Sequence, residues 1–213
     1  AGNQIQMLGL LAVLAMVPFA IMMVTSFSKI VVVLSIVRSA LGTQQAPPTM
    51  VLTGLAAVLS MTVMQPTVEK MWQAAKPYFD RDIAMSESLE TIATVIQPLK
   101  AFMQKHASAD DRDRFVDMAR ELRAPDEAGL VADDDASIVL PAFVVTELRE
   151  AFVIGFLIFL PFLIIDMLTA NVLLALGMQS LSPSQISLPL KILLFVAIDG
   201  WTLLSRGLIL GYR

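Results

Sequence analysis

The sequence has no cysteine, one histidine, two tryptophans and two tyrosines among 213 residues, and these shortages close off classes of function. Without thiols there is neither a disulfide framework nor a thiolate metal site, and the redox compartment leaves no trace in cysteine usage. With its one histidine at a charged helix end, and neither a second histidine nor a cysteine, the sequence points away from a metal site and from a Ser-His-Asp arrangement. The lone His106 stands at a charged helix end and reads as a solvated surface residue. No glycine-rich phosphate loop occurs, so any nucleotide hydrolysis belongs to a partner. Ser26, Phe27, Ser28 and Lys29 spell S-x-x-K, but neither S-D-N nor K-T-G follows, which removes the acyl-enzyme reading and leaves an intramembrane hydrolase remote. The expectation is a non-enzyme with no cofactor and no metal.

Charge is scarce as well. Only 16% of residues are charged against 56% hydrophobic, with mean hydropathy +0.72, the profile of a membrane or membrane-complex protein. A net charge of -4 and a pI near 4.9 supply no basic face, so no nucleic acid partner is expected. No side chain is charged from Ala1 to Ser28 or from Ser39 to Val68. The first stretch lacks a basic n-region and runs past signal-like length, so it reads as mature protein, whether or not a leader preceded Ala1.

What charge there is gathers in the middle. Glu69 to Pro141 carries 15 acidic and 9 basic side chains. The spacing predicts helices over Ser86–His106 and Asp110–Arg123, with Phe115, Met118, Ala119 and Leu122 on one face, and a loop over Ala124–Ser137. Around this block lie four hydrophobic segments, Ile5–Val37, Thr49–Val68, Glu147–Leu176 and Leu188–Leu210. Each is long enough to cross about 30 Å of hydrocarbon. The expected architecture is all-α: a helical hairpin over 1–68, an acidic helical domain over 69–141, and a second hairpin over 142–213. Arg38 beside the first turn places the short turns in the cytoplasm and the acidic domain outside it. Gly155, Pro161, Pro183, Pro189 and Gly200 invite kinks.

The last segment is marginal as a lone span. Its apolar residues contribute roughly -6 kcal/mol on the insertion scale, while Lys191, Asp199 and Arg206 cost up to about +9 if central. A helix of this kind is better covered by protein than by lipid, which suggests a component of an assembly. Charges at such depth need partners. If the chain reverses near Met178 and Gln179, antiparallel geometry sets Asp166 opposite Lys191, and Glu147 and Glu150 opposite Arg206. Lys29 meets only Ala56 or Ala57 across its own hairpin, so its counter-ion comes from another helix or another subunit, unless it snorkels. Most of the thirteen methionines lie at helical spacing and read as flexible core filler. Met178, at a hairpin tip, is the exception.

Phe27–Gln45 (FSKIVVVLSIVRSALGTQQ) with Pro47 and Pro48, then LPAFVVTELREAFVIGFLIFLPFLIIDM, LLALGMQSLSP and LPLKILLFVAIDGWTLL, closely resemble the FliP/SctR family of type III secretion export-gate proteins. The match covers all four hydrophobic segments; the acidic block is generic. The resemblance implies a homopentamer joined by SctS-like and SctT-like subunits, beside SctU-like and SctV-like export proteins, in a cone whose lumen passes unfolded substrate proteins. It also implies a bacterial inner-membrane origin, with the assembled cone largely on the periplasmic side. A methionine-rich gasket loop of the family aligns with Met178, Gln179 and Ser180. Only Met178 is kept, so the ring is less apolar and looser. The family's charged pairs carry over to Asp166, Lys191, Glu147 and Arg206. The C-terminal GLILGYR and the absence of an evident leader look more like the injectisome branch than the flagellar one. Residues alone leave a rival: a stand-alone ion or solute transporter relaying through Asp166, Lys191 and Asp199, against which stands the lack of an internal repeat.

Overall fold

Helix α1 (Gly2–Met23) is apolar on every side, and all its described side chains from Met7 onward are exposed, a surface that water does not tolerate at this length. The computed structural model describes residues 2–43, 46–79, 85–123, 129, 131–178 and 180–213. Seven further helices follow among them: α2 (Phe27–Leu41), α3 (Thr49–Ala75, extended by a 3-10 turn at Lys76–Tyr78), α4 (Met85–His106), α5 (Ala109–Leu122), α6 (Ala136–Ala175), α7 (Pro183–Ala197) and α8 (Gly200–Leu210). No strand occurs among the described residues. Two helices, α3 with its extension and α6, are each long and apolar enough to cross a membrane, and the pairs α1–α2 and α7–α8 each qualify if counted as one broken span. The chain is an all-α membrane protein.

The chain forms two compact units that interleave in sequence, one from residues 1–28 and 64–147, the other from 29–63 and 148–213. They do not follow the partition at 68 and 141 suggested by charge, because α3 and α6 run through both changes of composition. In the first unit, Val116, Val131 and Ile138 form a small core with Phe115 and Ala119 against it. Phe102 meets Phe143 edge-on at 5.8 Å between centroids. His106 is not simply solvated: it is half-buried with its ring 4.7 Å from that of Phe102.

That unit also holds a polar knot invisible in the composition. Ser108 caps α5 by accepting from the Asp111 N–H at 3.2 Å, and its hydroxyl donates to Asp111 Oδ2 at 2.9 Å. Thr146 of α6 donates to the same Oδ2 at 2.6 Å and accepts the Ser108 N–H at 3.0 Å. Asp111 is buried, and its charge faces the positive end of α5. Ser108-x-x-Asp111 has the form of a capping box, the one sequence signal for it.

In the second unit, burial follows helical stripes. On α2 the inner face is Ile30, Val33, Leu34, Val37, Ala40 and Leu41; on α3 it is Leu52, Ala56, Leu59 and Ser60. The α6 stripe runs Ala151, Gly155, Phe162, Thr169, Leu173, and α7 shows Ser187, Lys191 and Phe195 one turn apart. Gly155 produces no break in α6. It is glycine because α2 crosses there: a Cβ would stand 2.4 Å from Ile36 Cδ1.

Helix boundaries differ from the expected segments for local reasons. α6 begins at Ala136, well before Glu147, because Asp135 caps it: Asp135 Oδ1 accepts the Ser137 N–H at 3.0 Å, and its carbonyl accepts from Ile138 and Val139. Pro141 and Pro161 are both carried inside that helix. The first segment is interrupted at residues 24–26, where the Phe27 N–H turns to Thr25 Oγ1 at 3.4 Å. The last starts at Pro183, a favoured first-turn position, and bends by 60° between α7 and α8. At the bend Asp199 takes a left-handed φ of 50°, and a Cβ on Gly200 would lie 2.3 Å from the Phe195 ring.

Candidate functional site: a charged joint in the second unit

Helix α6 ends in a Schellman turn. Gly177, at φ 71°, donates to Leu174 O at 3.0 Å and Met178 donates to Leu173 O at 2.9 Å, the paired bonds that reverse a helix through a glycine. Ser182 then precedes α7, with Pro183 in the first turn. This tight reversal sets the register of the two helices, and Lys191 Nζ lies 2.5 Å from Asp166 Oδ2.

The pair does not stand alone. Ser187, one turn before Lys191 on the same face of α7, donates to Asp166 Oδ1 at 2.6 Å. Each carboxylate oxygen therefore has its own donor. The Lys191 ammonium also donates to Ala40 O at 3.1 Å, in the last turn of α2, where carbonyls lack helical partners and the dipole is negative. Gly42, at φ 75°, closes that helix end, and its missing Cβ would point to Lys191 Nζ at 3.7 Å. Ser187 and Lys191 are buried while Asp166 is 37% exposed at its side chain. One ammonium and one carboxylate thus fasten α2, α6 and α7. Ser187 was missed from sequence; its place four residues before Lys191 is the signal that could have found it.

Lys29 has its counter-ion in its own chain. Its Nζ is 2.7 Å from Glu150 Oε2 and 4.2 Å from the centroid of the Tyr212 ring. The hairpin argument looked only across the α2–α3 turn, whereas the acid comes from α6. Glu150 accordingly faces Lys29 and not Arg206. Arg206 is exposed and makes no ion pair among the described residues. Glu147 is fully buried. Asp199 is exposed at the α7–α8 bend, where it caps α8 without a side-chain bond.

At the hairpin tip, Met178 is 47% exposed and Ser180 is exposed; Gln179 lies outside the described residues. No group of three or more His, Cys, Asp or Glu suited to a metal ion occurs among the described residues. The arrangement fastens helices and presents a tip, with the Ser187 hydroxyl and the Asp166 carboxylate both engaged in that fastening.

Comparison with known proteins agrees along the whole length. Residues 10–208 match the FliP family. The chain is 42% identical over 202 residues to the hypersensitivity response secretion protein HrcR of Ralstonia nicotianae, covering 94% of this chain and 93% of the relative. It is 41% identical over 214 residues to the Yop proteins translocation protein R of Yersinia pestis, covering 99% and 97%. It is also 41% identical over 210 residues to the flagellar biosynthetic protein FliP of Caulobacter vibrioides, covering 98% of this chain and 76% of the relative. With a family match over residues 10–208 and about four-tenths identity to relatives over nearly its full length, this chain belongs to the FliP family.

Proposed function

We propose that this protein is a non-enzymatic subunit of a type III protein export gate in a bacterial inner membrane, with the virulence-type secretion system as its setting and the flagellar one as the alternative. Near-full-length identity above 40% to two secretion proteins and to a flagellar biosynthetic protein is the observation that carries it. In this reading five copies, with SctS-like and SctT-like subunits and beside SctU-like and SctV-like proteins, enclose a conduit for unfolded substrates on the periplasmic side, and partners supply the energy. The hairpin tip Met178, Gln179 and Ser180 narrows that conduit, and the acidic domain over 69–141 lies outside the cytoplasm.

Two physical features support a built component over a self-contained transporter. The exposed apolar side chains of α6, α7 and α8, among them Phe152, Leu193 and Val196, need cover from lipid or other subunits. Both Asp166 oxygens and the Lys191 ammonium are engaged, by Ser187, by Ala40 and by each other, which suits a fastening and opposes a proton relay. The native mass of the detergent-extracted complex tests the reading: a ring of five copies is expected, and a monomer or dimer that catalyses solute uptake would overturn it.

A further inference from the structure

The second unit carries six basic against three acidic side chains. Of the acids, Glu150 and Asp166 are engaged by Lys29 and Lys191. Two of the cations, Arg206 and Arg213, make no ion pair among the described residues, yet both line one groove of 630 Å³. Beside them stand the Thr202 and Ser205 hydroxyls, Trp201 and, from α3, Leu55. Thr202 and Arg206 fall on one face of α8 by helical spacing, Arg213 follows the helix end into the same groove, and α8 carries no acidic side chain.

We propose that this groove holds the phosphate headgroup of an anionic phospholipid. Two guanidiniums lining one groove beside hydroxyls suit phosphate, whose oxygens accept several charge-assisted bonds at once. The remaining wall is apolar, and Trp201, edge-on to Phe195 at 5.1 Å, is of the type that settles at headgroup depth. A basic pocket between apolar helices is the arrangement that retains acidic lipids. The lipid is held on the α8 face opposite Leu204 and Leu208, which are buried in the unit. The site does not rest on the export-gate reading; it requires that this face of α8 is covered by lipid and not by a partner subunit.

Trp201 is also the reporter. With Trp72→Phe as background it is the only tryptophan of the chain, and the full chain is reconstituted into phosphatidylcholine vesicles containing either brominated phosphatidylglycerol or brominated phosphatidylcholine. Quenching by the anionic lipid should correspond to about thirtyfold enrichment at Trp201, the order that two cations give at a membrane surface. Arg206→Gln with Arg213→Gln should abolish the preference at unchanged helix content, while Arg206→Lys with Arg213→Lys should retain part of it. Equal quenching by both lipids, or a preference that survives the double glutamine variant, overturns the proposal. Displacement of the brominated lipid by inorganic phosphate at matched ionic strength would instead mark a soluble-anion site and overturn it too. So would loss of oligomer in the glutamine variant of a wild type that shows no lipid preference, because the guanidiniums would then serve a partner's carboxylates.

Discussion

Lys191 is bonded at once to Asp166 of α6, at 2.5 Å, and to the Ala40 carbonyl of α2, at 3.1 Å. The second bond makes the pair directional. Lys191→Ala leaves a carboxylate and a helix-end carbonyl without their cation and should cost about 3 kcal/mol, the lower end for breaking a buried pair because Asp166 is partly exposed. Ser187→Ala should cost about 2 kcal/mol, as for a hydrogen bond to a charged group. The charge swap Asp166→Lys with Lys191→Asp should recover less than half of the loss, since a carboxylate would then face the Ala40 carbonyl. Thermal melting of the purified protein in detergent reads all three; full recovery by the swap would show that the α2 contact contributes nothing.

Much of this joint was legible because an antiparallel hairpin with a fixed tip has only one register, and Gly177 marks the tip. The acidic helices α4 and α5 were legible within a residue at each end, because apolar residues recur in them at helical spacing. What could not be read were contacts between elements distant in sequence. Lys29 and Glu150 are 121 residues apart, and nothing in local spacing says that α6 passes α2 at Gly155. Charge also misplaced the start of α6: Asp133 to Asp135 look like solvated loop, yet Asp135 is the cap from which the longest helix grows.

Lys29 and Glu150 should respond unequally to substitution. The ammonium is 5% exposed at its side chain and the carboxylate 49%. Lys29→Met leaves a carboxylate that water can reach, and the new side chain keeps much of the packing against Tyr212. Glu150→Ala strips the carboxylate from a buried ammonium and should destabilise more, by about 2 kcal/mol. Equal losses in paired denaturation curves would place the interaction at the surface.

Close approach at two glycines predicts steric damage without any change of charge. Gly155→Ala and Gly200→Ala set a methyl group 2.4 Å and 2.3 Å from Ile36 and Phe195, and each should cost about 1 to 3 kcal/mol as overpacking. Gly207→Ala, where nothing lies within 4 Å, is the control and should be neutral or slightly stabilising within α8. Melting temperatures of the three variants decide the matter.

Asp135 gives a pH signature. Hydrogen bonds from the Ser137 backbone and then from its side chain, with minor help from Arg123 and Lys100, hold its pKa below the ordinary 3.8. A depressed folded pKa contributes stability that is fully present above the unfolded value and is lost as pH falls through the folded one. Asp135→Asn keeps a cap but removes the titration, so the difference in melting temperature between wild type and variant should shrink as pH falls below about 4. A difference that stays constant across that range would remove Asp135 from the acid response.

Met178 closes the hairpin as the residue after a left-handed glycine, and with 47% of its surface exposed its side chain is largely free of the two helices it joins. Five such tips around an axis would gather flexible thioethers into one apolar constriction, soft enough to yield to a passing chain. Because the Met178 backbone N–H, not its side chain, makes the turn's bond to Leu173, Met178→Ala should leave the turn and the assembly intact and widen the opening. Small-ion conductance of membranes holding the assembled complex should then rise, whereas Gly177→Ala, which strains a φ of 71°, should lower assembly instead. An assembled Met178→Ala complex no leakier than wild type would refute the constriction, because in that geometry nothing but the side chain has been taken away.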